Sequence, residues 1–227
     1  IQNFAPSNLN RDDTNAPKDA EFGGYRRARI SSQSIKRAIR SQFRAGLLPA
    51  EELATRTKRL AQALTEELVA AGKQEEPARV VATMALNALK AKVGDDGKTE
   101  YLLFVGKQEL AGLTGVCLKH WDHLTAAAES VAAASGEKKS RREEKKAAKD
   151  AVPAGVYTEL LACLDGGQAT DLALFGRMIA DLPDHNVDAA SQVGHAISTN
   201  QVSMEFDFYT AVDDLKLDDT AGADMMG

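Results

Sequence analysis

The 227-residue sequence predicts an α+β protein with a large helical insertion, on three observations. An extended segment, Tyr25 to Ile30, follows a Gly-Gly turn near the start. An alanine-rich, helix-favouring stretch fills the middle. An alternating aromatic and acidic segment, MEFDFYTAV (204–212), stands near the end. Strands at both ends of a helical middle suggest a sheet whose two parts are separated by an insertion. With 44% hydrophobic residues, the chain can bury a core.

Taken in order, Gly23-Gly24 makes a turn, and Ser31, Ser32 or Ser34 caps the helix that follows. Ile35, Ala38, Ile39 and Phe43 give that helix an apolar face, while Lys36, Arg40 and Arg44 recur every four residues with Arg37 beside them. The stretch EELATRTKRLAQALTEELVAAG (51–72) reads as a helix, with Leu53, Leu60, Leu64 and Leu68 near one face and Gly72 as its stop. EPARVVATMALNALKAKVG (76–94) reads as a second helix with Pro77 near its first turn. DDGK (95–98) is a turn and EYLLFVG (100–106) a short buried strand. Lys107 to about Ser135 is helical again. The mixed-charge run EKKSRREEKKAAK (137–149) cannot bury a face and reads as a solvated helix or loop, with a second RNA-contacting arm as the alternative. Helical pieces around 153–164, 168–175 and 186–197 complete the middle. In the final strand Phe206 and Phe208 point one way, Asp207 and Tyr209 the other, as in a hairpin or protruding arm.

Charge is laid out unevenly. The chain holds 28 basic and 33 acidic side chains, for a net charge of −5. Yet residues 22–44 carry seven cations (Arg26, Arg27, Arg29, Lys36, Arg37, Arg40, Arg44) and no acid. Residues 202–227 carry seven acids against Lys216 alone. A helix start lined with serines offers free N–H groups and hydroxyls to a phosphate, and the cationic stripe continues that track. Arg11 and Lys18, in SNLNRDDTNAPK, extend it. The acidic balance argues against indiscriminate coating of nucleic acid, not against such a local track.

Other chemistries are set aside on spacing. Cys117, His120 and His123 share part of a helix circumference, but zinc would need a fourth ligand that the sequence does not place. An amphipathic helix with Trp121 inward explains them. Asp12-Asp13 could serve a metal-dependent nuclease, although adjacent acids in an asparagine-rich loop more often build a turn. Phosphate-loop, dinucleotide, nucleophile-elbow and zinc-protease patterns are absent. The residues argue for binding without turnover, without cofactor and without metal. Two distant cysteines make no disulfide framework, no apolar run approaches the ~18–20 residues of a membrane span, and no signal peptide is visible. A reducing cytoplasm is the expected compartment, and the start at Ile1 suggests a sequence trimmed at its N-terminus.

The pieces LNRDD, FGG, RRARISSQS and KRA, in that order and spacing, resemble the N-terminal signature of the CasC-type subunit. That family forms the multi-copy backbone of the type I-E CRISPR surveillance complex, Cascade. FGRM (175–178) is similar to its GRM element, and HAISTNQVSMEFDFYTAVDDL (195–215) to a downstream segment, with Phe208-Tyr209 where the family has Trp-Phe. The resemblance implies a ferredoxin-like, RNA-recognition-motif palm, a helical fingers insertion and a β-hairpin thumb. Residues 1–48 would form the N-terminal palm, 49–190 mainly the fingers (with the strand near 100–106 able to belong to the palm), and 191–227 the passage from palm to thumb. Family chains extend beyond both ends of this sequence, so the rest of the palm would lie outside it. The partners implied are guide RNA (crRNA), target DNA through the guide, neighbouring copies and other Cascade subunits. Carried across by position, the RNA contacts would be Arg11, Lys18, Arg29, Ser31, Ser32, Gln33, Lys36, Arg37 and Arg40. Arg177 and Met178 would act near a kinked base, and Phe208, Tyr209 and Thr210 beside a displaced nucleotide. The alternative is a related RNA-targeting backbone subunit that cuts RNA with an acidic residue and metal.

Overall fold

The computed structural model describes residues 1–3, 8–133, 147–166 and 169–203, together with the backbone of 210–211 and 224–225. The chain divides into two compact units, Ile1–Ser41 with Val193–Gly227, and Gln42–Gln192. Helices and small antiparallel sheets together make the α+β class that the sequence predicts.

In the first unit, β1 (Asp19–Phe22) and β2 (Tyr25–Ile30) form a two-residue hairpin in register Phe22↔Tyr25 to Asp19↔Ala28. Gly23 and Gly24 both adopt positive φ (67° and 79°), which right-twisted strands need at a tight turn and only glycine adopts without strain. β5 (Ala196–Ile197) adds to the other edge of β2, pairing Arg29↔Ile197 and Ile30↔Ala196, so the order is β1-β2-β5. Helix α1 (Ser32–Gln42) leaves β2 directly. Its apolar face is thinner than expected, since Ile35 and Ile39 are only half-buried and Ala38 is exposed. Thr210–Ala211 pairs antiparallel with Asp224–Met225. Phe206, Phe208 and Tyr209 lie outside the described residues, as do 137–146 of the mixed-charge run.

The second unit holds the core. β3 (Ala54–Thr57) pairs antiparallel with β4 (Leu103–Gly106), in register Ala54↔Gly106 to Thr57↔Leu103. The unit's helices are α2 (Leu60–Ala70), α3 (Glu75–Ala88), α4 (Lys107–Lys119), α5 (Trp121–Ala133), α6 (Ala154–Ala162) and α7 (Thr170–Phe175); α4 packs on β4, α7 on β3, and α2 to α6 on one another. Leu64, Leu68, Leu113, Leu124 and Leu160 are wholly buried, and Ala78, Ala82 and Ala85 let α3 sit close to its neighbours. Truncating any of those leucines to alanine would cost roughly 2–5 kcal/mol. Trp121 packs against this core half-buried, with Lys73 Nζ 4.4 Å from its ring centre. Among the described residues no helix is long and apolar enough to cross a membrane.

Two expected helices are not formed as expected. The one read over 51–72 begins only at Leu60, because residues 54–57 are spent as a strand. There Ala54 N–H donates to Asp171 Oδ1 at 2.8 Å and Ala54 O accepts from Arg44 at 3.0 Å. β-branched Thr55 and Thr57 suit the ladder to β4. The piece read as helical over 186–197 is extended. Its N–H groups go to other segments (Val187 to Arg177 O, Ala190 to Ala173 O, Ser191 to Leu174 O), so i→i−4 bonds cannot close.

Candidate nucleic-acid interface

Local folding at the start of α1 is governed by Asn10. Its side-chain oxygen accepts the Ser31 N–H at 2.8 Å, and its main-chain oxygen accepts the Lys18 N–H at 2.8 Å. Lys18 O in turn accepts the Arg29 N–H at 2.9 Å. Arg11, Lys18, Arg29 and the first turn of α1 are therefore brought together, although up to two dozen residues separate them in sequence. Below Arg11, Asp12 closes a tight turn by accepting from Thr14 N, Thr14 Oγ1 and Ala16 N. The Thr14 hydroxyl bond, ahead of the backbone bonds, holds the Asp12 carboxyl below its ordinary value. Asp12 thus works as a turn residue, and Asn15 (φ 68°) completes the reversal.

Ser31 is the capping serine. Its hydroxyl accepts the Ser34 N–H at 3.3 Å and the residue is buried, so it sets the helix start and does not present its hydroxyl to solvent. The next N–H, of Ser32, donates to His195 Nδ1 at 3.1 Å. Part of the helix N-terminus expected to be open is accordingly filled by His195. Gln33 and Arg37 are exposed, whereas Lys36 and Arg40, one turn apart on the same side of α1, are half-buried.

The seven cations of 22–44 do not act alike. Arg26 pairs with Asp19 at 3.1 Å, across the hairpin and outside the acid-free stretch. Arg27 donates to the carbonyls of Phe22, Ser198 and Thr199 and so fastens β5's exit to the hairpin. Arg44 serves Ala54 O. Arg29, Lys36, Arg37 and Arg40 are the members of the stretch expected to contact phosphate, with Arg11 and Lys18 beside Arg29. A cationic surface of this kind can hold a polyanion by charge, without reading sequence.

The GRM element lies in the second unit and splits in two. Arg177 is buried, and its Nη1 lies 2.8 Å from both oxygens of Glu109. The same guanidinium reaches the carbonyls of Phe104, Leu164 and His185. Arg177, expected to contact RNA, has its charge neutralised internally by the Glu109 carboxylate. Glu109 additionally accepts from Gly106 and Gly166 N–H, binding three segments to one carboxylate. Met178, the next residue, is 81% exposed. Thr210 is described by its backbone alone.

Sequence reasoning passed over Asn10, His195 and Glu109. His195 stood inside the quoted HAISTN segment, and Asn10 inside LNRDD; Glu109 carried no local signal. His120 and His123 stack edge to face at 5.9 Å, with His120 Nε2 3.2 Å from Glu159 Oε1. Among the described residues no group of three potential metal ligands gathers.

The fold is α+β, and cations gather beside the start of α1. The chain belongs to the CT1975-like protein family, whose model matches residues 1–227. It is similar, at 30% identity and a TM-score of 0.69, to a chain of a CRISPR RNA-guided surveillance complex, pre-nicking, over 97% of its own length and 57% of that chain. A chain of a second CRISPR RNA-guided surveillance complex matches at 28% identity and a TM-score of 0.64, over 86% of this chain and 55% of that one. The sequence thus spans a little over half the length of the chains it matches. No curated protein matches it.

Proposed function

We propose that this chain is a guide-RNA-binding backbone subunit of a CRISPR surveillance complex, of the CasC type found in type I-E Cascade. The observation that carries the reading is the convergence of Arg11, Lys18 and Arg29 on the start of α1, next to Lys36, Arg37 and Arg40. Family membership and the two matched complexes support it. Copies stack along the crRNA, gripping phosphate and ribose through this track, and leave the bases to pair with target DNA. Sequence specificity then comes from base pairing and not from side chains. Residues 1–48 and 191–227 act as palm and root of the thumb, and 49–190 as fingers. Phe208, Tyr209 and Thr210 lie beside a displaced nucleotide, and Met178 meets bases. The subunit is non-catalytic and works in a prokaryotic cytoplasm with the other Cascade subunits.

The test is to purify the protein from cells that also express its genomic neighbours and to sequence any nucleic acid retained. Discrete RNAs sharing a repeat-derived end are expected. Material free of nucleic acid would overturn the reading.

A further inference from the structure

The β1–β2 hairpin has two faces that differ in charge. Residues opposed across an antiparallel pair share a face, so the register assigns each side chain to one of them. Asp19 and Glu21, the acids of β1, stand on one face with Arg26, which pairs with Asp19 at 3.1 Å. The other face holds Phe22 and Tyr25 at the tip, then Ala20 opposite Arg27, then Lys18, whose carbonyl accepts the Arg29 N–H. No acid stands on this second face of the two strands. Among the described residues no carboxylate forms an ion pair with Lys18, Arg27 or Arg29.

The tip itself is apolar and open. Phe22 is 63% and Tyr25 54% exposed, directly opposite each other across the Gly23-Gly24 turn. Positive φ at both glycines fixes that turn, so the backbone alone sets the two aromatic side chains next to each other. Arg27 reaches the tip as well, its Nε donating to Phe22 O at 3.0 Å. The Arg27 guanidinium is met by carbonyls, those of Phe22, Ser198 and Thr199, and not by a carboxylate. An aromatic pair with cations behind it on the same face complements a single-stranded nucleic acid, whose bases take the rings and whose phosphates take the charge. Sinking the same tip into an apolar protein pocket would carry Arg27 with it, and a desolvated cation without a carboxylate is costly.

We propose that Phe22 and Tyr25 form a stacking platform for bases of the guide strand. The guide is favoured over the target because this face runs from the tip through Arg27 to Lys18 and Arg29, which Asn10 ties to the start of α1. Stacking engages the flat faces of the bases and leaves their pairing edges free. Every base has such a face, so the platform holds the strand without selecting its sequence. The inference rests on the guide-RNA reading above and adds to it a contact at the hairpin tip.

The full chain is bound to an unstructured RNA carrying 4-thiouridine and irradiated, and the cross-linked peptides are sequenced. Adducts at Phe22 or Tyr25 are expected. Affinity for that RNA should fall about tenfold in Phe22→Ala/Tyr25→Ala and in Phe22→Leu/Tyr25→Leu, and should hold in Phe22→Trp/Tyr25→Trp. All three variants should keep the wild-type salt slope, since no charge is removed, and the wild-type thermal midpoint, since both side chains are exposed. RNA bound without adducts at the tip, or with equal affinity in the leucine and tryptophan variants, overturns the platform and leaves the α1 reading standing. Adducts from a complementary DNA carrying 4-thiothymidine, with none from the RNA, assign the tip to the target strand and overturn the proposal. A wild-type chain that binds no RNA overturns both readings.

Discussion

Arg177 and Glu109 meet through one guanidinium nitrogen that lies 2.8 Å from each carboxylate oxygen, with side chains 2% and 0% exposed. A pair so far from water is held by what surrounds it: three carbonyls take further guanidinium donors, and two glycine N–H groups take further carboxylate lone pairs. Such a network is costly to break from one side, because the remaining charge stays buried without a counter-ion. Arg177→Met and Glu109→Gln should each cost about 3 kcal/mol, read as a lower urea midpoint. Losses below about 0.5 kcal/mol would mean that the pair behaves like an exposed one.

The turn before Arg177 is equally restricted. Gly176 has φ 75°, and a β-carbon there would stand 2.8 Å from Val187 O. Gly176→Ala meets both the backbone conformation and the neighbour, and a loss of roughly 1–3 kcal/mol follows. An unchanged thermal midpoint would show that the 176–187 pairing is not needed for stability.

At the α1 surface two kinds of substitution should separate. Lys36→Ala with Arg40→Ala removes charge. RNA affinity should then drop for every sequence alike, and the slope of log K against log salt should flatten by about 1.4, at ~0.7 per single-strand phosphate. Asn10→Ala removes no charge but releases the Ser31 N–H and the loop carrying Arg11 and Lys18. It should weaken binding and leave the salt slope close to wild type. Identical slopes for wild type and both variants would remove Lys36 and Arg40 from the phosphate track.

Cys117 and Cys163 should differ in reactivity. Burial pushes the Cys117 thiol up to about 12, with Cys163 adding a smaller push. Cys163 is half-buried and is raised chiefly by the same cause. The native chain should resist iodoacetamide at Cys117 at pH 8, while Cys163 is alkylated slowly. Because the Cys117 pKa is raised in the folded state, its contribution to stability is complete below about pH 8.5–9. It is lost as pH climbs toward 12, at about 1.4 kcal/mol per unit. Equal alkylation of both thiols in the native protein would contradict this burial.

The basic track and the leucine-lined helices were legible because each is local: charge density in 22–44, and apolar spacing within α2 and α3. What was missed depended on partners far along the chain. Arg177 reads as a phosphate ligand until Glu109, 68 residues earlier, is seen to neutralise it. His195 reaches Ser32 over 163 residues. Residues 54–57 looked helical because Leu53 falls in line with Leu60, Leu64 and Leu68. Only the ladder to β4 and the Asp171 bond to Ala54 decide for a strand. The extended course of 186–197 is likewise set by acceptors on other segments and not by its own residues.

Arg27 clasps Ser198, 171 residues downstream, and β2 takes its second neighbour from the same region. On a ribosome adding roughly 5–20 residues per second, the β1–β2 hairpin therefore waits about ten to thirty seconds for the strand that completes its sheet. The Gln42–Gln192 unit, continuous in sequence and holding its own core, has emerged entirely by then. The cationic stretch 22–44 is thus made before the Gln42–Gln192 unit, and its sheet is completed after that unit.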